Sequence, residues 1–499
     1  MSGRENGPKE PGPRDTPAKN GAAPSASSPA APSFAAAAAG PAVEMPPVAL
    51  ETPPGEPPRE APKEAAKEPP SGPAPLKLLF VSKWGLIHDL AWEVRKEGHE
   101  VRYHIGSKSD REVGDGFVDK AERWEDHKDW ADVVVFDDCE FGATVEKLQK
   151  EGKTVIGGTA YTDRLEMDRD FGQEEMQAAG MTTLPRWEFS GFEDAIAFLR
   201  DNPGRYVVKP SGRAQNEKVL SFVGQEEDGL DVITMLERYK RGWGSKIKSF
   251  QLQKFVAGVE VAVGAFFNGT DYVLPVFINF EHKRMFNDEI GPQTGEMGTA
   301  GFWYGPGRLF SDTLLKMKDR LAAARYTGYV DINCIANSRG IYPLEFTCRF
   351  GYPTINLQIE GVLSKWGEFL HALARGQTFN LRTKRGFQVC VVVAVPPFPF
   401  IDPDAFRKFS EDAVVLFKKP MTDGIHPGDV RLVDGDWRLA GNSGYALIVS
   451  GSGSTMEDAR REAYNRVRNI MIPNMFYRTD IGERWTREGD LLQTWGYLS

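Results

Sequence analysis

The stretch YPLEFTCRFGYP at residues 342–353 places three polar side chains on an otherwise apolar run. Glu345, Thr347 and Arg349 alternate with apolar residues, and alternate side chains of a β-strand point to the same face. A carboxylate, a hydroxyl and a guanidinium on one face of a buried strand predict a site for a charged ligand.

A second carboxylate precedes this stretch. The sequence GYVDINCIANSRGIYPLEFTCRF predicts a hairpin with its turn at Ser338–Gly340, which would bring Asp331 close to Glu345. Two carboxylates that close repel each other unless a cation lies between them. Oxygen ligands suit Mg²⁺ or Mn²⁺, and the ion would also hold a nucleotide's phosphates. The alternative is that each carboxylate pairs with its own basic residue.

Two features upstream are typical of a nucleotide site. Lys209 ends the apolar strand RYVV before a glycine turn, where its ammonium could bind a phosphate. A lysine at a strand end more often simply extends into solvent. In QKFVAGVE (253–260), apolar residues and a small turn could hold a flat ring, with Glu260 on ribose hydroxyls. An ordinary β-bend with a surface glutamate is the alternative.

A glycine-rich loop, EIGPQTGEMGTAG at 289–301, follows the sequence EHKR, which contains Lys283 and Arg284. Three glycines within eight residues let a backbone approach a ligand closely. They are Gly291, Gly295 and Gly298. A plain flexible loop is the other interpretation.

Composition excludes several classes of protein. A net charge of −9 argues against a general nucleic-acid or membrane-surface binder, and no run of about 18 apolar residues could span a bilayer. The start of the chain lacks the pattern of a secretory signal. Four scattered cysteines favour a reduced, cytoplasmic protein with no disulfide framework and no zinc site: Cys139, Cys334, Cys348 and Cys390.

The chain divides into four segments. Residues 1–75 hold 19 of the 34 prolines and are predicted to be disordered. Strands that alternate with helices predict a parallel α/β domain over 76–160. An α+β domain is predicted over 161–370, with a lid at about 186–255, and a small C-terminal α+β domain over 371–499.

The order of these features resembles the ATP-grasp superfamily, and within it the phosphoribosylamine–glycine ligase (glycinamide ribonucleotide synthetase) family. WGLIHDLAW (84–92) is similar to that family's GGREHALAW, and EHKR with GPQTGEMG resembles DHKR with GPNTGGMG. LEFTCRFGYP resembles IEFNCRFGDPE, and NSGYALIVSGSGSTMEDARREAYNRV with YRTDIGERW resembles the C-terminal domain. The resemblance covers about residues 76–485.

The resemblance implies an α/β pre-ATP-grasp domain, an ATP-grasp domain with a lid, and a C-terminal α+β domain. It also implies a cytoplasmic enzyme of purine biosynthesis, monomeric or dimeric, that acts on small molecules. Such an enzyme joins a carboxylate to an amine through an acyl phosphate, using ATP and Mg²⁺ or Mn²⁺. Positioned cations and a metal ion neutralise charge on the transferring phosphoryl group.

Each implied role falls on a residue of this chain. Phosphate binding falls on Arg169 and Lys209, and ribose binding on Glu260. The hinge that would hold the adenine comprises Gln253, Lys254, Phe255 and Val256. The metal-binding role falls on Glu345, Asp331 and Thr347. The catalytic roles fall on Arg349, which faces the acyl phosphate, and on Lys209. Substrate contacts fall on Lys283, Arg284, Gly291, Gly295, Gly298 and His88.

Departures from the family pattern keep three functions open. Thr347 stands where the family has asparagine, and Tyr352 and Thr354 stand where it has carboxylates. FDDCEFG (136–142) replaces a G-P-E-x-P-L loop, and the glycine-rich lid is reduced to PSGRAQNEK. The chain could perform the family's reaction with phosphoribosylamine and glycine, join a different amine, or only bind a nucleotide without catalysis.

Overall fold

The structure is a computed structural model that describes residues 74–211, 221–243 and 247–498, without the side chain of Trp243. The disorder predicted for residues 1–75 lies almost entirely outside the described residues. Most of the shortened lid sequence PSGRAQNEK also lies outside them.

The N-terminal part is the predicted parallel α/β unit. Its sheet has the order β3-β2-β1-β4-β5, and every neighbouring pair is parallel. The apolar runs of β1 and β4 are buried on both faces, as expected for a covered parallel sheet. The elements are β1 Lys77–Ser82, α1 His88–Lys96, β2 Glu100–Ile105, β3 Asp119–Lys120, β4 Val133–Phe136, α2 Gly142–Lys150 and β5 Val155–Ile156.

The helical segment that follows β5 is divided by a break. The structure has two helices, α3 (Ala160–Met167) and α4 (Arg169–Ala178). Asp168 separates them because its backbone is extended and its side chain accepts the N–H of Phe171 at 3.1 Å, which caps the second helix. The break places Arg169 in the first turn of α4.

The predicted lid region forms a separate small layer. Its four-stranded antiparallel sheet has the order β6-β9-β7-β8, and helices α5 and α6 pack with it around Tyr206, Phe250 and Leu252. The elements are β6 Arg186–Phe189, α5 Phe192–Asp201, β7 Tyr206–Pro210, β8 Phe222–Val223, α6 Leu230–Trp243 and β9 Phe250–Lys254.

The middle part contributes long antiparallel strands and the helices that follow them. Its strands are β10 Val259–Asn268, β11 Tyr272–Glu281, β12 Arg284–Phe286, β13 Ile290–Gln293, β14 Gly298–Tyr304, β15 Thr327–Asn337 and β16 Gly340–Thr347. Its helices are α7 Arg308–Ser311, α8 Lys318–Ala323, α9 Thr354–Gly361 and α10 Trp366–Ala374.

The C-terminal part adds more strands and three helices to the described chain. They are β17 Phe387–Val393, α11 Pro403–Phe409, β18 Leu416–Phe417, β19 Ile425–Pro427, β20 Val430–Val433, β21 Asp436–Leu439, β22 Leu447–Gly453, α12 Met456–Val467, β23 Ile470–Met471 and α13 Trp485–Thr494. No helix among the residues described here has the length and apolarity needed to cross a membrane.

One large sheet joins the middle and C-terminal parts. Its order is β16-β15-β10-β11-β14-β17-β22-β19, so its last three strands come from beyond the predicted domain boundary at residue 370. The domain boundaries at residues 160 and 370 stay predictions. The large sheet contains strands from both sides of residue 370. Helices α9 and α10 contribute Ile355, Phe369 and Leu370 to the core of the N-terminal sheet. The large sheet is the platform on which the site residues lie.

Candidate functional site

Three cations and three carboxylates gather where the lid meets the large sheet. Arg169 comes from α4, Lys209 from the lid strand β7, and Lys283 from the loop after β11. Glu260, Glu281 and Glu345 come from β10, β11 and β16 of the large sheet. Elements distant in sequence thus place six charged side chains in one region.

Lys209 faces the hinge between lid and sheet. Its Nζ donates to Oε1 of Gln253 at 2.8 Å. Burial, and then the nearby Arg169 and Lys283 cations, lower the pKa of Lys209 to about 8, while Glu345 and Glu260 act in the opposite direction. Arg169 donates through Nη1 to the carbonyl of Pro210 at 3.0 Å, and its Nη2 lies 4.0 Å from Glu345. The two predicted phosphate ligands are therefore neighbours.

Lys283 lies among three carboxylates, one each from the strands β10, β11 and β16. Its Nζ is 3.0 Å from Glu281, 3.1 Å from Glu260 and 3.9 Å from Glu345. Burial alone would lower the pKa of Lys283, but the three carboxylates raise it well above its usual value. Lys283 in turn lowers the pKa of Glu260. The cation that the clustered carboxylates require is thus an internal lysine.

The predicted adenine hinge connects two different sheets. Gln253 and Lys254 end β9 of the lid, and Glu260 belongs to β10 of the large sheet. The backbone N–H of Phe255 donates to the carbonyl of Arg205 at 3.0 Å, and the Arg205 guanidinium lies over the Phe255 ring. Val256 lies in the half-buried link. The assignment of Gln253 to Val256 as the adenine hinge stays a prediction. The segment is held by the lid strand β9 at one end and by β10 of the large sheet at the other.

The hairpin register changes which side chains face each other. The sequence predicted that Asp331 lies beside Glu345. In the structure Asn333 is the direct cross-strand partner of Glu345, and Asp331 is opposite Thr347. A β-bulge between Asn333 and Cys334 shifts the register by one residue, and Pro343 sits in the edge strand at that bulge. Asp331 and Glu345 therefore lie on adjacent strands, two residues apart in register rather than directly opposite each other.

Asp331 has an unusual environment for a metal ligand. It is buried, and its Oδ1 has no hydrogen-bond partner among the described residues. Burial, and then the Glu281 carboxylate, raise its pKa well above the usual value. These surroundings favour the protonated form of Asp331 over its charged form, and a cation close to it would oppose that preference.

The oxygen donors near Glu345 are of the kind that Mg²⁺ binds, although the described residues form no complete metal site. Within the described ranges, no group of three or more His, Cys, Asp or Glu side chains is placed to hold a metal ion. The Asn333 amide donates to both Glu281 oxygens at 3.3 Å. Glu281, Asn333 and Glu345 thus bring carboxylate and amide oxygens together, a donor set that Mg²⁺ accepts. Glu281 and Asn333 are candidates that the sequence reasoning missed.

Arg349 lies beyond the strand that was predicted to carry it, because β16 ends at Thr347. Its Nε is 3.0 Å from Glu166 and 3.3 Å from Asp138, a residue of the loop that follows β4. Tyr352 packs against the Arg349 guanidinium and donates its hydroxyl to the carbonyl of Asp137 at 3.1 Å. Arg349 thus connects the N-terminal sheet to the start of α9.

The comparisons with known proteins agree with this geometry. A family model described as phosphoribosylglycinamide synthetase, ATP-grasp (A) domain, matches residues 167–355. This part of the chain is therefore an ATP-grasp domain. The phosphoribosylamine–glycine ligase of Thermotoga maritima is 26% identical over 416 residues, which cover 80% of this chain and 96% of that relative.

Solved structures show the same fold. The crystal structure of phosphoribosylamine–glycine ligase from Thermotoga maritima has a TM-score of 0.61 at 22% identity, and covers 81% of this chain and 100% of its own. The biotin carboxylase domain of 2-oxoglutarate carboxylase from Hydrogenobacter thermophilus, solved with MgADP, ADP and bicarbonate, has a TM-score of 0.55 at 12% identity, with coverage of 80% and 91%. The predicted fold class is therefore confirmed.

The glycine loop at 289–301 is tied to the C-terminal part by hydrogen bonds and packing. Arg284 donates to the carbonyl of Gly291 at 2.9 Å, and its own carbonyl accepts from the buried Arg478 at 2.9 Å. Gly291 has a positive φ of 88°, and a side chain at Gly298 would meet the carbonyl of Cys390. A side chain at Gly295 would meet open space, so that position faces away from packed atoms.

Two predictions concern buried side chains, namely His88 and the four cysteines. His88 is fully buried at the start of α1, its Nδ1 lies 2.8 Å from the carbonyl of Gly85, and burial lowers its pKa to about 4. Its role as a substrate contact stays a prediction. The cysteines are buried and free, and burial raises the pKa of each thiol: Cys139, Cys334, Cys348 and Cys390. Their surroundings fit small core residues.

Proposed function

We propose that this ATP-grasp protein is an ATP-dependent ligase that joins a small carboxylate to an amine through an acyl phosphate. The main support is that Arg169, Lys209 and Lys283 all lie at the sheet edge that bears Glu345. Three cations at one edge suit the phosphates of a nucleotide, since charge on a transferring phosphoryl group is stabilised by positioned cations. Similarity over four fifths of the chain to a phosphoribosylamine–glycine ligase supports the same reaction class.

Each side chain has a distinct task in this reaction. The hinge from Gln253 to Val256 holds the base, and Glu260 accepts the ribose hydroxyls. A substrate carboxylate oxygen attacks the γ-phosphorus, the bond to the β-phosphate oxygen breaks, and ADP leaves. The amine nitrogen then attacks the acyl carbon, the carbon–oxygen bond to phosphate breaks, and the amine loses a proton to solvent.

A divalent metal ion is part of the proposal. Glu281, Asn333 and Glu345 would hold it, with Asp331 and Thr347 behind them. When bound, it supplies positive charge to the nucleotide phosphates. Lys283 already neutralises these carboxylates, so the lysine must shift toward the phosphates as an ion takes its place.

The relatives are named for phosphoribosylamine and glycine, and these are the first substrates to test. Tyr352 and Thr354 stand where the family sequence has carboxylates, and Tyr352 covers Arg349. The Tyr352 hydroxyl donates to the carbonyl of Asp137, in the N-terminal part of the structure. The change therefore affects the choice of the second substrate more than the use of ATP.

Trapping with hydroxylamine tests the proposed function without knowledge of the amine. Purified protein is incubated with ATP, Mg²⁺, hydroxylamine and glycine or another small carboxylate, and the hydroxamate and ADP are measured. We expect both products in equal amounts, since hydroxylamine captures an acyl phosphate. No hydroxamate with any carboxylate of a broad panel would contradict the ligase function.

The pairing of Lys283 with three carboxylates also favours a second candidate, a nucleotide-binding module without catalysis. In that case ATP binds with the same affinity whether or not Mg²⁺ is present, and no ADP forms. A calorimetric titration of ATP with and without Mg²⁺ separates the two functions.

A further inference from the structure

A buried histidine lies where α1, α9 and the C-terminal part meet. His426 belongs to β19, and its Nδ1 is 2.8 Å from Oδ2 of Asp89 on α1. Its Nε2 is 2.8 Å from the hydroxyl oxygen of Ser450 on β22. The same Oδ2 of Asp89 accepts from the side-chain amide of Asn356 on α9 at 2.9 Å. All four side chains are buried, so one imidazole ring joins three parts of the chain.

A carboxylate with two cations lies on the other side of Ser450. Oε2 of Glu360, on α9, accepts from the Ser450 hydroxyl at 2.9 Å and from Arg466 of α12 at 3.0 Å. Oε1 of Glu360 accepts from Lys384 at 2.6 Å. Burial alone would raise the pKa of Glu360, but the hydrogen bonds from Lys384 and Ser452 and the charge of Arg466 lower it to about 2. Glu360 is therefore ionised and only accepts hydrogen bonds.

These contacts place the protons on the ring of His426. A serine hydroxyl has one proton to donate, and its bond to a carboxylate is strengthened by the charge. When Ser450 donates to Glu360, its oxygen accepts from Nε2 of His426. The Asp89 carboxylate accepts from Nδ1 in the same way. Both ring nitrogens then donate, so the ring is a positively charged imidazolium.

The charged groups that face the ring favour this form. Burial alone would lower the pKa of His426, but the Asp89 carboxylate raises it. Glu360 on α9 and Glu93 on α1 act in the same direction, so that the pKa of the ring lies above its ordinary value. β22 contributes the neutral Ser450, and the two cations of this region contact Glu360. The ring is therefore the cation of the Asp89 side.

Asp89 is the residue that makes this cation necessary. The motif GGREHALAW, to which WGLIHDLAW is similar, has alanine at this position. Oδ1 of Asp89 has no hydrogen-bond partner within the described chain, and burial alone would raise the pKa of this carboxyl, whereas His426 lowers it. A buried carboxylate without a cation costs free energy. The neighbouring His88 does not supply the charge, because burial lowers its pKa to about 4.

We propose that His426 is a proton-controlled clamp that fastens α1 and α9 to the C-terminal part. When Nε2 loses its proton, the Ser450 hydroxyl turns from Glu360 to the bare nitrogen, and Asp89 loses its buried cation. The stabilisation is fully present below the ordinary histidine pKa of 6.5 and is lost as the pH rises through the higher pKa of the folded state. Above that pH, α1 opens more often. The clamp does not depend on the proposed ligase function.

Nitrogen NMR of the full chain labelled with ¹⁵N-histidine tests the charge of the ring. We expect both ring nitrogens of His426 to be largely protonated at pH 6.5, where an ordinary histidine is half neutral. The signal is identified by its loss in His426→Gln or, if that variant does not fold, by replacing the other six histidines one at a time. A ring that is half neutral at or below pH 6.5 overturns the proposal.

Hydrogen exchange measured by mass spectrometry tests the fastening. In the wild type, the protection factors of the α1 amides should fall about ten-fold between pH 6 and pH 9. Those of α2, which packs on the other face of the N-terminal sheet, should change by about three-fold or less. An α1 whose protection does not fall more than that of α2 overturns the proposal.

A pair of variants separates the clamp from other titrating groups. In Asp89→Ala, the fall in α1 protection should shrink to about three-fold or less, because the ring loses its carboxylate and stays neutral. His104→Gln is the control, since it removes a histidine whose Nδ1 lies 3.0 Å from the carbonyl of Ala121, and it should behave as the wild type. A ten-fold fall that persists in Asp89→Ala overturns the role of the pair. These measurements do not use enzymatic activity, so the clamp and the ligase function can fail separately.

Discussion

Two polar regions share one face of the large sheet, and they differ in how their charges are satisfied. At the nucleotide end, Lys283 contacts Glu260, Glu281 and Glu345, and Arg169 lies beside Glu345. Under α9, the Asn279 amide is buried and has no hydrogen-bond partner among the residues that the structure describes. The paired charges at the nucleotide end can be exchanged for the charges of a nucleotide and its metal ion. A buried amide without a partner differs from them, because polar groups inside a protein are normally hydrogen-bonded.

The largest effect is expected for Glu345→Gln. The change removes one negative charge from the nucleotide end, and hydroxamate formation should fall at least 100-fold. Glu345 is exposed, so the melting temperature should stay within about 2 °C of the wild type. Steady-state trapping and thermal unfolding measure the two quantities. Turnover within ten-fold of the wild type would show that Glu345 does not act on the phosphates.

Lys209→Met should raise the KM for ATP about 30-fold, because a phosphate loses its buried cation. The pKa of about 8 adds a pH dependence. Lys209 is an ammonium below this pH and becomes a neutral amine above it, so kcat/KM for ATP should fall as the pH rises through about 8. Lys209→Arg should move that fall to higher pH, since arginine stays charged. An identical profile in the arginine variant would assign the titration to another group.

Asn279→Leu should raise the stability of the fold. Replacing a buried amide that has no partner in the described structure by an apolar group should stabilise the fold by about 1–2 kcal/mol. Chemical denaturation measures the change. A loss of stability would mean that the amide is satisfied within the fold.

Asp168→Ala removes the cap of α4 and should cost about 1 kcal/mol of stability. Because Arg169 occupies the first turn, the KM for ATP should also rise about three-fold. Asp168→Asn, which keeps the cap, is the control. A variant with an unchanged KM would show that the position of Arg169 does not depend on the cap.

Thr347→Asn should have the smallest effect. Thr347 lies opposite Asp331, two residues along β16 from Glu345. An amide oxygen added at this position therefore lies beyond the cross-strand pair of Asn333 and Glu345. The Mg²⁺ concentration for half-maximal hydroxamate formation should change less than about three-fold. A ten-fold change would place Thr347 at the metal.

The sequence revealed the charged residues better than their pairing. Alternation in LEFT identified Glu345 and Thr347 on one face, and the strand-end pattern identified Lys209, because both depend on local chain geometry. The bulge at Asn333 could not be read from the sequence, since hairpin spacing assumes a regular ladder. The pairing of Lys283 with Glu260 and Glu345 depends on the strand order β16-β15-β10-β11, which is a property of the whole sheet.

The second polar region left almost no trace in the sequence. Asn279 sits in the apolar run VFINFE and has the spacing of an ordinary strand residue. Only its burial among β10, β14 and α9 shows that it lacks a partner. Glu296 was visible as a charge in a glycine loop, but its contact with Thr299 requires the fold. Local sequence patterns thus predicted residues of the nucleotide end. The second polar region depends on long-range packing, which those patterns do not show.

The transfer of an isotope from carboxylate to phosphate tests the ligase account most directly. Glycine, or the carboxylate that gives hydroxamate, is labelled with ¹⁸O in both carboxylate oxygens and incubated with ATP, Mg²⁺ and hydroxylamine. The account predicts one ¹⁸O atom in each inorganic phosphate released, since the carboxylate oxygen attacks the γ-phosphorus and leaves with it. Unlabelled phosphate would mean that water attacks ATP, and would contradict an acyl phosphate at Glu345, Lys209 and Lys283.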